Sequence, residues 1–89
     1  MTEVTVKFDA TDPGGAKRAH FDGVPLKFTN GECKKRLSTG EHSFTWFVFA
    51  ATGSKYSISI KAGNKDLFTH TAVLDATLRD GGIQWITVA

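Results

Sequence analysis

The chain reads as all-β, a two-sheet sandwich of immunoglobulin-like type with about seven strands, and three observations predict it. Apolar and polar residues alternate at a period of two, no segment carries a helical period of useful length, and clusters of Gly, Asn, Asp and Ser punctuate the chain at short intervals. A small barrel is the alternative architecture. The 89 residues allow one domain, 1–89, near the lower size at which a single core holds without staples.

Val4, Val6 and Phe8 alternate with Thr5 and Lys7, the pattern of a half-buried strand, which ends in the loop Asp9 to Gly15. Ala16 to Asp22 then joins Val24 to Thr29 through Asp22-Gly23, and that run joins Glu32 to Ser38 through Asn30-Gly31. Both dipeptides supply the positive φ at two positions that a type I′ hairpin turn requires. Taken as two hairpins, they place Phe21 opposite Val24 and Ala19 opposite Leu26, then Phe28 opposite Cys33 and Val24 opposite Leu37. One face comes out mostly apolar, and the other collects Arg18, His20, Lys27, Lys34 and Arg36.

Glu41 to Ala51 is the expected central strand, closed by Gly40 and Gly53 and dense in aromatic and β-branched residues. His42 to Thr45 alternates normally, whereas from Trp46 onward both faces are apolar. That half is either covered on both sides or presents Phe47 and Phe49 as an exposed patch. Lys55 to Ala62 alternates cleanly, with Tyr56, Ile58 and Ile60 on the apolar side. Asp66 to Arg79 is long for a strand, so a bulge or break is expected near Asp75. Asp80-Gly81-Gly82 reads as a turn into Ile83 to Val88, with Trp85 and Ile86 on opposite faces.

A formal net charge of +2 and a pI near 8.9 mean that any attraction to nucleic acid or anionic surfaces must come from local clustering. Cys33 is the single cysteine, which excludes an intrachain disulfide and leans towards a reducing, cytoplasmic setting. The longest apolar run, Trp46 to Ala51, is far too short to cross a bilayer as a helix, and no leader pattern opens the chain.

The basic group Arg18, His20, Lys27, Lys34 and Arg36 fits an acidic protein or an anionic glycan, against the plainer reading of a solvated sheet face. It holds no aromatic ring on which a base would stack, which argues against nucleic acid. Phe47 and Phe49, with Trp46, Trp85 and Phe68, supply the aromatic area on which a sugar ring or a protein partner sits, or they pack the core. His42, His70 and Cys33 are the residues an enzymatic or metal-dependent alternative would use. Their spacing matches no paired zinc motif, so no metal or cofactor is expected, and no hydrolase elbow or phosphate-cradling loop is present.

Phe21-Asp22-Gly23 and the run Leu37-Ser38-Thr39-Gly40-Glu41-His42-Ser43-Phe44 resemble the PEGA-type module, with Gly23, Leu37, Gly40, His42, Gly53 and Tyr56 at the matching positions over roughly half the chain. The resemblance implies a non-catalytic accessory or surface-associated module, commonly outside the cytoplasm. The expected function is a non-enzymatic binding or interaction module for protein or glycan, with compartment and oligomeric state open.

Overall fold

The computed structural model describes residues 1–11, 16–74 and 79–89. Eight strands are present among them: β1 (Thr2–Ala10), β2 (Ala16–Phe21), β3 (Val24–Pro25), β4 (Glu32–Leu37), β5 (Gly40–Phe49), β6 (Lys55–Ala62), β7 (Lys65–Val73) and β8 (Arg79–Val88). They form two four-stranded sheets, in the orders β4-β1-β6-β7 and β3-β2-β5-β8, every pairing antiparallel. The sheets pack face to face as a small β-sandwich and do not close into a barrel, because each retains two edge strands. No helix is present among the described residues.

Period-two alternation places the core where the sequence puts it. Val4, Val6 and Phe8 of β1 are fully buried, and so are Tyr56, Ile58 and Ile60 beside them on β6. Phe21, Phe44 and Ile86 face them from the second sheet. Phe44 is the hub of the aromatic packing, with ring centroids 5.1 Å from Phe21, 5.9 Å from Trp46 and 6.3 Å from Phe68, the last on the opposite sheet.

The two glycine turns part company. Asp22 and Gly23 adopt positive φ, and the hairpin forms in the expected register, Phe21 opposite Val24. Asn30 and Gly31 also adopt positive φ and close a tight turn, with Thr29 and Glu32 exchanging hydrogen bonds of 2.9 and 3.1 Å. The arms beyond it do not pair. Pro25 offers no N–H to continue a ladder, Phe28 swings edge-on against Phe8 at 5.8 Å, and β4 leaves for the other sheet, where Val6 rather than Phe28 opposes Cys33. The second hairpin expected from sequence is therefore a crossing between sheets. Burying Phe28 against the core outweighs the few ladder bonds given up.

Gly81 and Gly82 are not turn residues either. They lie inside β8, opposite Phe47 and Trp46, without positive φ. A β-carbon on Gly82 would sit 2.6 Å from Trp46 Cζ2, and one on Gly81 would sit 2.7 Å from the Trp46 carbonyl oxygen. The glycine pair lets the Trp46 indole lie flat on β8 inside the sandwich. Gly82→Ala is expected to cost about 1 to 3 kcal/mol, because the indole must move, and the loss is measured as a fall in the urea midpoint with altered tryptophan fluorescence. The break expected near Asp75 falls outside the described residues. The register shift that is observed lies at Ile60/Lys61, where β6 meets the start of β7.

Candidate functional site

The basic group does not form one face. Arg18 and His20 stand on the outer side of β2, whereas Lys34 and Arg36 stand on the outer side of β4, in the opposite sheet, with Lys27 exposed on the connection between. The register that would have united them required β3 to pair with β4, and β4 pairs with β1 instead. There Arg36 lies opposite Glu3 and Glu32 opposite Lys7, so the outer side of the first sheet alternates in sign like a solvated surface.

Phe47 and Phe49 face solvent, at 45% and 50% exposure, and the neighbouring strand adds Ile83 at 59% and Trp85 at 61%. Cross-strand register assembles these into one face. Phe49 lies between Ala16 and Arg79, Phe47 between Arg18 and Gly81, Thr45 between His20 and Ile83, and Ser43 beside Trp85. Phe49, Phe47, Ile83 and Trp85 therefore run as an apolar diagonal from β5 onto β8, with Arg18 and Arg79 flanking its phenylalanine end. On the core side of the same strand, Val48 is buried and Trp46 packs against Phe68 and His70. The doubly apolar half of β5 thus has one covered side and one open side.

The three histidines and Cys33 do not converge. His42 is buried at the start of β5, with Nδ1 2.6 Å from Asp22 Oδ2 and Nε2 2.7 Å from the Ser38 carbonyl oxygen. Both neighbours are acceptors, an arrangement that favours the doubly protonated ring, in which both nitrogens donate. Its hydrogen bonds to Asp22 and then to Ser38 hold its pKa above the ordinary value, while the same contact with His42 pulls Asp22 below its own. Asp22 Oδ1 also accepts the Ser43 N–H at 3.0 Å. The group ties the β2–β3 turn to β5 and to the chain just before it.

His70 belongs to a different cluster, near the opposite end of the sandwich. The buried Tyr56 hydroxyl donates to Asp80 Oδ2 at 2.6 Å and accepts from Trp46 Nε1 at 3.2 Å, with His70 Nε2 at 3.0 Å. Burial first, and the bond to Asp80 second, push the Tyr56 pKa up to about 12, so the phenol stays protonated and joins strands of both sheets. Cys33 faces the core side of β4 opposite Val6, and its Sγ lies 3.9 Å from the Lys34 carbonyl oxygen. Among the described residues no group of three or more His, Cys, Asp or Glu side chains is placed to hold a metal ion. An open depression of about 300 Å³ lies at the ends of β1 and β6, lined by Asp9, Lys55, Ser57 and Thr71 among others, and none of the histidines reaches it.

No family model, no curated protein and no solved structure matches this chain. Ile83 is the site residue that sequence reading passed over, and Trp85 was grouped with the aromatic residues without a place beside Phe47 and Phe49. Their signal was present in the opposite facing of Trp85 and Ile86, but nothing local says that β8 lies next to β5.

Proposed function

We propose that this chain is a non-enzymatic interaction module that binds a protein partner through the outer face of the sheet β3-β2-β5-β8. The observation that carries the reading is the contiguous diagonal Phe49, Phe47, Ile83 and Trp85, on neighbouring strands of one sheet. Ordered strands hold these side chains at little entropic cost on binding, the property of interface anchors. Arg18 beside Phe47, with no carboxylate in the rows of Phe47 and Phe49, favours a partner surface that is apolar with acidic groups at its margin. A protein is favoured over a glycan because Ile83, in the middle of the diagonal, adds branched aliphatic area but no ring on which a sugar would stack. The resemblance to PEGA-type modules implies a non-catalytic accessory module and is consistent with the non-enzymatic part of the reading only.

The test is retention of proteins from the native source on the immobilised chain, compared with Phe47→Asp/Phe49→Asp. Both positions are exposed, so the variant is expected to fold and to lose the retained set. Retention of the same set by the variant overturns the reading. Retardation of the native chain in polysaccharide gels, abolished by the same substitutions, replaces the protein partner with a glycan.

A further inference from the structure

Edge strands of soluble β proteins carry features that stop them pairing with other chains, chiefly shortness, proline, bulges and lysine or arginine along the edge. Three of the four edges here have them. β3 is two residues long and includes Pro25, β4 carries Lys34, Lys35 and Arg36, and β7 opens with Lys65 and Asp66 beside a register shift. β8 differs. It runs for ten consecutive pairs with β5 without a shift, and from Gly81 to Val88 it contains no charged residue and no proline.

The ladder shows which groups on that edge are open. The Ser43 carbonyl accepts the Asp22 N–H at 2.9 Å, so odd residues of β5 turn their backbone groups to β2 and even residues turn theirs to β8. In β8 the odd residues Gly81, Ile83, Trp85 and Thr87 therefore direct N–H and C=O away from the sheet. Two of these groups are satisfied from within: the Gly81 N–H donates to Asp80 Oδ1 at 2.9 Å, and the Trp85 carbonyl accepts from Gln84 Nε2 at 3.3 Å. Among the described residues the Ile83 N–H and C=O, the Trp85 N–H and the Gly81 C=O have no such partner.

We propose that the chain pairs with a second copy of itself along β8, antiparallel with Ile83 on the two-fold axis, so that the partner's Trp85 completes the aromatic face beside Phe47. In this register Ile83 exchanges both backbone bonds with its own counterpart, and each Trp85 N–H meets a Gly81 carbonyl. The two groups already satisfied internally, the Gly81 N–H and the Trp85 C=O, are the ones that fall opposite each other. Shifting the axis to Gln84 matches the open Ile83 N–H to the occupied Trp85 carbonyl instead. Side chains agree with the first register. Each Trp85 lies opposite a Gly81, whose missing side chain leaves the indole free to reach the Phe47 ring, 3.6 Å from the place where a Gly81 β-carbon would be. Arg79 at one end of β8 falls opposite the partner's Thr87, which has Glu41 on its far side, so opposite charges approach at both ends. The product is one continuous sheet of eight strands, twice the four of a single copy, carrying two diagonals on one face. The composite face rests on the binding reading above; the pairing itself rests on the edge.

Sedimentation of the full chain over a wide concentration range is expected to give twice the 9.7 kDa monomer mass. Ile83→Lys sets two ammonium groups against each other on the axis and is expected to weaken association by roughly tenfold or more while keeping the β circular dichroism. In a Cys33→Ser background, Ile83→Cys is expected to form a covalent dimer on mild oxidation, because a hydrogen-bonded antiparallel pair brings Cα atoms to about 5.5 Å. A native chain that stays monomeric throughout overturns the pairing, as does a dimer indifferent to Ile83→Lys, and cross-linking by Gln84→Cys in place of Ile83→Cys overturns the register. A monomer that still loses its retained proteins on Phe47→Asp/Phe49→Asp fails this inference and leaves the binding face standing.

Discussion

Phe44→Ala is expected to destabilise the chain by about 3 to 5 kcal/mol, whereas Phe47→Ala, three residues along the same strand, is expected to change stability by no more than about 0.5 kcal/mol. Phe44 is fully buried and its ring contacts Phe21, Trp46 and Phe68, so truncation removes packing shared by both sheets. Loss of a buried phenylalanine costs about 3 to 5 kcal/mol, and a domain of this length has about 5 to 13 kcal/mol in total, so the variant loses at least about a quarter of its stability. Phe47 faces solvent, and its removal leaves no cavity. Urea unfolding of both variants measures the contrast through the midpoint, with an unchanged slope for Phe47→Ala. Equal losses at the two positions would mean that the outer face is covered, and the binding reading would fall with it.

The contrast follows from a parity that was legible in the sequence. Tyr56, Ile58 and Ile60 alternate with Lys55, Ser57 and Ser59, and the strand that results buries the first three. What alternation cannot carry is the partner of each strand. Asn30-Gly31 forms the turn its residues demand, yet Leu26 and Phe28 gain more from the core than from a ladder, and the basic face inferred from that ladder disappears. Gly81-Gly82 misleads for a related reason: its need for glycine comes from Trp46, far earlier in the chain and opposite Gly82 in the sheet. The candidate site was half visible, because Phe47 and Phe49 stand on a strand recognisable by itself, while Ile83 and Trp85 join them only through the long-range pairing of β5 with β8.

His42→Ala is expected to cost about 1.5 to 2 kcal/mol near pH 6 and less at higher pH, since the wild type loses there what the variant never had. The imidazolium donates to a carboxylate and to a carbonyl, and its pKa in the folded chain is raised above 6.5. A raised folded pKa means that the charged ring contributes fully below 6.5 and that its contribution fades as pH rises through the folded value. Asp22 runs the other way: lowered from 3.8, it contributes above that value and loses its contribution as pH falls through its own folded pKa. Stability from this pair therefore peaks between the two ordinary values and declines on the alkaline side. Because the Asp22 side chain is 49% exposed, water screens part of the attraction, and the figure belongs at the lower end of what a charged hydrogen-bond pair supplies. Urea midpoints taken from about pH 5 to about pH 9 are expected to fall for the wild type and to stay flat across that window for His42→Ala. His42→Gln, which donates one hydrogen bond but cannot be protonated, is expected to match the alanine variant's flat profile at intermediate stability. A wild-type profile as flat as that of the variants would show that the ring is neutral in the folded chain, and that one of its two short contacts is made by a different proton.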